Sequence, residues 1–353
     1  MSQFWSPIVD KLTPYVPGEQ PKINNLIKLN TNENPYPPSD KVMAAIADAT
    51  NENLKRYPDP NSTELVEAIA EYYHLDTQQV FVGNGSDEVL AHTFQALLQH
   101  DKPLLYPDIS YSFYPVYCDL FQINAVQVPL NEDFEIDIND YQQDNSAIIF
   151  PNPNAPTGRE LPLEKIRQLA DIHKNSLIVV DEAYIDFGGE SAVALVNDFN
   201  NILVIQTFSK SRALAGLRIG FAMGHPDLID ALNRVKNSFN SYPLDQIAIK
   251  AGCAAIKDES YFQQRCEQVI NTRDYLSNML STLGFSVLPS AANFVFAKHA
   301  SLNAEDISLK LREKGIIVRH FGSERIQQHL RISIGTDEEI QKLLEELEVI
   351  CQA

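Results

Sequence analysis

Residues 176–184, SLIVVDEAY, and 201–210, NILVIQTFSK, decide how this chain folds. Each carries four consecutive branched aliphatics, Leu177–Val180 and Ile202–Ile205. Such a run is too short for a helix and reads as a strand buried on both faces. Each ends in a group that can do chemistry, Asp181 in the first and Lys210 in the second. Working outward, similar runs occur at Val80–Val82, Pro103–Tyr106, Ala125–Val128, Ala147–Phe150 and Leu217–Met223, separated by helical patterns. The expectation is an α/β fold with one large, mainly parallel, seven-stranded sheet covered on both faces. In such sheets ligands bind beyond the carboxyl ends of the strands. The strings found there are GNGSDE, YPDISYSFY, NPNAPTG, DEAY and FSKSRALAGLR.

After Pro226 the pattern turns helical, with one long amphipathic helix over Glu259–Leu283 stopped near Gly284. A strand (Asn293–Ala297), a helix (Ala304–Glu313), two strands (Gly315–Arg319 and Leu330–Ile334) and a helix opened by Thr336 then form a small α+β unit. The Pro- and Asn-rich start, LNTNENPYPPSD, reads as an arm packed on another surface. The resulting division is an arm over 1–40 that joins the small unit, a large domain over 41–255 and a small C-terminal domain over 256–353.

The 47 acidic and 28 basic side chains leave a formal charge of −19, which repels phosphate backbones and anionic lipid, so neither nucleic acid nor a membrane is expected as a partner. A small anionic substrate requires a few local arginines to outweigh that field. The four cysteines, at 118, 253, 266 and 351, have no metal or redox spacing. No basic, apolar leader opens the chain and no apolar stretch is long enough to span a bilayer, which points to a cytoplasmic protein without a metal site.

Taken singly, each candidate has a bland reading. Lys210 alone is a lysine just past a strand; beside Arg212 and Arg218 it becomes a candidate nucleophilic amine. Asp181, after four aliphatics, needs a cation, and a pyridinium nitrogen would supply one. GNGSDE follows a strand and opens a helix, the arrangement that binds phosphate; Gly85 lets the backbone approach, Ser86 offers a hydroxyl, and Asp87 lies in the same turn. Tyr111 can stack on a flat ring, while Tyr184 and Asn154 can reach a phenolic oxygen on it. Five such signals at five carboxyl ends of one sheet describe a pocket for pyridoxal 5′-phosphate. The dinucleotide fingerprint GxGxxG is absent, which weighs against an NAD-dependent oxidoreductase.

These residues resemble the fold-type I, class II pyridoxal-phosphate aminotransferases over nearly the whole chain. The resemblance implies Lys210 as the Schiff-base lysine and proton shuttle, Asp181 at the pyridine nitrogen, and Ser86, Ser209 and Arg218 on the cofactor phosphate. Within that group, LTPY, LNTNENPY, RYPDP, SKSRALAGLR and LRISIGT are similar to the histidinol-phosphate aminotransferases. That likeness implies conversion of histidinol phosphate and 2-oxoglutarate to imidazole acetol phosphate and glutamate by double displacement, a step of histidine biosynthesis. It implies a homodimer with shared active sites, in which Tyr57 reaches the neighbouring subunit's cofactor phosphate. It also places Arg319 and Arg331 on the substrate phosphate, with Tyr15 and Asn30 or Asn34 nearby. Many relatives carry Asn immediately before Pro-Thr-Gly, where this chain has Ala155, so the phenolic oxygen falls to Asn154 or to Tyr184 alone. The competing expectations are an aromatic amino-acid aminotransferase or a threonine-phosphate decarboxylase on the same scaffold. A regulator that keeps the pocket is a further reading, weakened by the lack of a basic DNA-binding segment.

Overall fold

A computed structural model describes residues 3–21 and 25–352 and contains twelve strands in two sheets. The strands are β1 (Ile27–Leu29), β2 (Val80–Asn84), β3 (Leu104–Pro107), β4 (Ala125–Val128), β5 (Ala147–Pro151), β6 (Leu177–Asp181), β7 (Ile202–Thr207), β8 (Ile219–Gly224), β9 (Phe285–Val287), β10 (Phe294–His299), β11 (Ile316–His320) and β12 (Leu330–Ser333). The large sheet has the order β2-β8-β7-β6-β5-β3-β4, with only β8 antiparallel to its neighbours. All seven expected strands are present, displaced by at most two residues at an end. Alternating side chains of each central strand feed two apolar layers. Ile178, Val180 and Val204 pack to one side, and Val179, Leu203 and Ile205 to the other. Both faces are therefore dry, which leaves the polar ends of the strands as the places to look for a ligand.

The smaller sheet has the order β1-β11-β12-β10-β9, and β1 from the N-terminal arm pairs in parallel with β11. The two three-residue strands β1 and β9 escape the sequence reading because an alternation of three residues, Ile27-Lys28-Leu29 or Phe285-Ser286-Val287, is too short to stand out as a strand. Helix α1 (Glu259–Thr282) closes the small core with Phe262, Cys266, Val269, Leu276 and Leu280. Its buried Arg273 donates to the carbonyls of Phe187 and Ala292, tying the segment after β6 to the small sheet. The four cysteines are free, no group of His, Cys, Asp and Glu among the described residues is arranged to hold a metal, and no helix among them is long and apolar enough to cross a membrane.

Candidate active site

A cleft of about 480 Å³ opens at the carboxyl ends of β5, β6 and β7, where the large sheet faces the small one and the arm. It gathers Tyr15, Asn30, Ser86, Asp87, Tyr111, Asp181, Tyr184, Ser209, Lys210, Arg218, Arg319 and Arg331. A wider groove at the opposite ends of the strands, between His100–Lys102 and Asp171–Ser176, contains none of them.

Asp181 ends β6 and is 4% exposed. Its Oδ2 accepts a hydrogen bond from the Tyr114 hydroxyl at 3.0 Å, while Oδ1 has no partner among the described residues. Burial pushes its carboxyl up to about 7, against the opposing pull of the Tyr114 donor. A buried carboxylate with one empty oxygen and no cation beside it favours a positively charged ligand.

The turn from β2 into the following helix forms a concave cradle. Gly85 has φ +79°, and a Cβ there would overlap the Arg218 guanidinium. A side chain at Gly220 on β8 would collide with the backbone of Gly85 and Ser86. Arg218 pairs with Asp87 at 2.8 Å, and Asp87 also accepts from Tyr111 at 2.9 Å, so the carboxylate sets the angle of both the cation and the ring. Ser209 is buried, with its N–H on Thr207 Oγ1. The result is a helix N-terminus, a hydroxyl pair and an arginine around one hollow, the donor set a phosphate requires.

Lys210 stands three residues beyond β7, with Nζ donating to the Thr31 carbonyl at 3.1 Å and lying 5.7 Å from the Tyr184 ring. On the small-sheet side, Arg319 and Arg331 are direct cross-strand partners of β11 and β12. Like charges facing each other across a ladder repel, so the pair is stable only with an anion between them or with other compensation. Arg331 Nη2 donates to the Asn30 carbonyl at 2.9 Å, and its buried Nε has no partner among the described residues. Burial and the neighbouring Arg319 both lower the Arg331 pKa, although Tyr184 opposes them. Tyr15 stacks on Phe113 at 4.6 Å along the rim.

A model of class I and II aminotransferases matches residues 24–347. Histidinol-phosphate aminotransferase 1 of Hydrogenovibrio crunogenus is 62% identical over 96% of this chain and 95% of its own length. The histidinol-phosphate aminotransferase of Pseudomonas entomophila is 60% identical over 98% and 100%. The chain belongs to the histidinol-phosphate aminotransferase family of class I and II aminotransferases. Among solved structures, the Sinorhizobium meliloti histidinol-phosphate aminotransferase in complex with pyridoxal-5′-phosphate superposes with a TM-score of 0.90 at 24% identity, covering 100% of this chain and 98% of that one. Thermus thermophilus aspartate aminotransferase with maleate gives 0.81 at 24% identity, covering 92% and 91%, so the fold is shared well beyond one substrate class.

Three expected contacts differ in this aminotransferase. Asn154 does not line the cleft; its amide donates to the Ile109 carbonyl and Thr157 Oγ1, holding the NPNAPTG turn from inside. Asn34 also lies outside, donating to the carbonyls of Lys210 and Ser211 and thereby fixing the lysine's backbone rather than a substrate. Asn30 reaches the cleft, but its amide donates to the Glu19 carbonyl at 2.8 Å. Tyr57 is 82% exposed and stacks on Tyr242 at 4.8 Å, away from this chain's own cleft. Three contributors went unrecognised in the sequence: Tyr114 beneath Asp181, Asn32 beside Tyr184, and the Thr31 carbonyl at Lys210. Tyr114 and Asn32 sit inside quoted strings, but nothing in a string tells which of several tyrosines or asparagines turns inward.

Proposed function

We infer that the chain is a pyridoxal-phosphate-dependent transaminase that moves the amino group of histidinol phosphate to 2-oxoglutarate, giving imidazole acetol phosphate and glutamate. The observation that carries this reading is the placement, in one cleft, of the uncompensated Asp181 carboxylate and Lys210 opposite the paired Arg319 and Arg331. The residues fit the cofactor. Ser86, Ser209 and Arg218, with the backbone N–H groups of the turn at Gly85–Asp87, would hold its phosphate, Tyr111 would stack on its ring, and Tyr184 would donate to its phenolic oxygen. When bound, the cofactor supplies an electron sink for the pair left as the substrate Cα loses its proton.

The protein's own groups do the rest. Asp181 would keep the cofactor's ring nitrogen protonated, and that ion pair would offset the cost of its burial. Lys210 Nζ would take the proton from the substrate Cα and deliver it to the cofactor carbon on the far side of the amino nitrogen, acting as base and then as acid. Arg319 and Arg331 would grip the phosphate of one substrate and the side-chain carboxylate of the other, with Tyr15 lining the same cleft. The exposure of Tyr57 supports the reading of a homodimer with shared sites, in which this phenol would reach the cleft of a second copy.

The test is a steady-state comparison of glutamate with imidazole acetol phosphate against glutamate with phenylpyruvate, alongside carbon dioxide release from threonine phosphate. A strong preference for the first pair is expected, with all activity and the visible absorption of the reconstituted protein lost in Lys210→Ala. A protein that stays colourless with the cofactor, or that prefers phenylpyruvate, overturns the reading.

A further inference from the structure

Asn32 lies on the arm, 1% exposed and in the left-handed region at φ +55°. Its backbone N–H donates to Ser333 Oγ at 2.9 Å, the Ser333 hydroxyl donates back to Asn32 Oδ1 at 2.8 Å, and Asn32 Nδ2 donates to the Tyr184 hydroxyl oxygen at 3.1 Å. Asn293 Nδ2 donates to the Asn32 carbonyl at 3.0 Å. This set fixes which way the carboxamide faces. Were it turned over, the buried Ser333 hydroxyl proton would lose its acceptor, an outcome that costs more than an ordinary hydrogen bond gains. With Nδ2 toward Tyr184, the tyrosine oxygen is an acceptor. Its own proton has no acceptor among the described residues and is free to point into the cleft.

We propose that Asn32 is a positioning residue for transamination. Its carboxamide, oriented by Ser333, makes the Tyr184 oxygen an acceptor and so directs the Tyr184 proton toward the phenolic oxygen of the bound cofactor. The proposal rests on the cofactor-binding role of Tyr184 stated above. It also accounts for a NPNAPTG turn that supplies no amide there: Asn154 faces inward, and among the described residues the side-chain amide serving this oxygen acts through Tyr184. Ser333 lies two residues from Arg331, so one strand carries both the anion grip and the group that orients Asn32.

The experiment is a pH titration of the visible absorption of the reconstituted holoenzyme, with kcat and KM for glutamate measured in parallel. The variants are Tyr184→Phe, Asn32→Gly, Ser333→Ala and the double Asn32→Gly/Tyr184→Phe. Glycine keeps the positive φ, so Asn32→Gly removes the carboxamide without straining the backbone. A donor to the phenolic oxygen favours its deprotonated form, so losing it raises the titration midpoint. Tyr184→Phe and Asn32→Gly should raise it by comparable amounts and lower kcat about tenfold, the worth of one hydrogen bond, with KM changed less than about twofold. The double variant should go no further than Tyr184→Phe alone. Ser333→Ala, which touches neither Tyr184 nor the cofactor but only Asn32, should move the midpoint in the same direction even if Asn32→Gly folds poorly. A midpoint that moves in Tyr184→Phe but stays at the wild-type value in Asn32→Gly and Ser333→Ala, or additive effects in the double variant, overturns the proposal alone. A midpoint unmoved in Tyr184→Phe overturns the cofactor role of Tyr184 as well.

Discussion

Tyr114 donates its hydroxyl proton to Oδ2 of Asp181 across 3.0 Å in the dry layer beneath the cleft, where both side chains are almost wholly buried. A neutral donor stabilises the carboxylate without neutralising it, and so leaves the charge available to a cationic ligand. Tyr114→Phe keeps the ring and deletes the bond. Hydrogen bonds to charged groups contribute about 1.5–3 kcal/mol, so cofactor affinity, measured by equilibrium dialysis, should fall roughly tenfold or more. The Asp181 carboxyl should titrate above its present value of about 7. Unchanged affinity would show that the tyrosine is only packing.

The same burial makes the apoprotein sensitive to pH in an unusual direction. Asp181 is raised from 3.8 to about 7, so between those values the folded state binds a proton that the unfolded state has lost. Stability of the apoprotein should therefore fall as pH rises from about 4 to 7 and level off above, with about 4 kcal/mol attributable to this group. Its neighbour Glu182, also pushed up to about 7 by burial, adds to the same slope. Asp181→Asn should make the apoprotein more stable at pH 8 and shallower in its pH dependence, by denaturant titration, while abolishing transamination. A variant less stable than the parent at pH 8 would contradict the idea of a carboxylate held ready for a cation.

How far the sequence carried this picture depends on what kind of information each feature needs. The β6 and β7 strands and their terminal Asp181 and Lys210 are legible because four aliphatics in a row followed by a charge fit a buried strand that ends at a polar edge, and little else. The antiparallel direction of β8 is not legible, since a run such as Ile219–Gly224 reads the same either way along a sheet. Asn30, Asn32 and Asn34 show the limit most clearly. They are three identical side chains at alternate positions, yet Asn32 has positive φ and its neighbours do not, which turns each toward a different partner: the Glu19 carbonyl, Tyr184 and the Lys210 carbonyl. That local twist is met by Ser333 of the small sheet and by Asn293 just before it, 301 and 261 residues away in the chain.

The facing pair Arg319 and Arg331 predicts opposite effects on binding and on stability. Arg331→Gln removes one side of the anion grip and should lower kcat/KM for histidinol phosphate by roughly a hundredfold or more, the cost of breaking a buried charged contact. In the unliganded protein the same change relieves repulsion and removes an unpaired buried Nε–H, so its melting temperature should not fall. Inorganic phosphate should raise the melting temperature of the parent and have less effect on the variant. Equal stabilisation of both would place the anion elsewhere.

Asn34→Ala separates a buttress from a substrate contact. Because its amide holds the carbonyls of Lys210 and Ser211, its loss should loosen the lysine and lower kcat about tenfold, leaving KM for both substrates near the parent value. A raised KM with unchanged kcat would restore the expectation that Asn34 meets substrate.

Tyr57 offers the sharpest test of shared sites, because this phenol is 82% exposed, stacks on Tyr242 and lies outside the cleft of its own chain. If it completes the cleft of a second copy, Tyr57→Ala and Lys210→Ala damage different halves of each site. A hybrid of the two then contains one cleft with an intact Lys210 and an intact Tyr57 from the other subunit. Unfolding and refolding an equimolar mixture should give about a quarter of the parental activity from two preparations that are each nearly inactive, as expected for random pairing in a symmetric dimer. If Tyr57 instead served its own chain, the hybrid's Lys210-bearing cleft would still lack the phenol, and mixing would restore nothing.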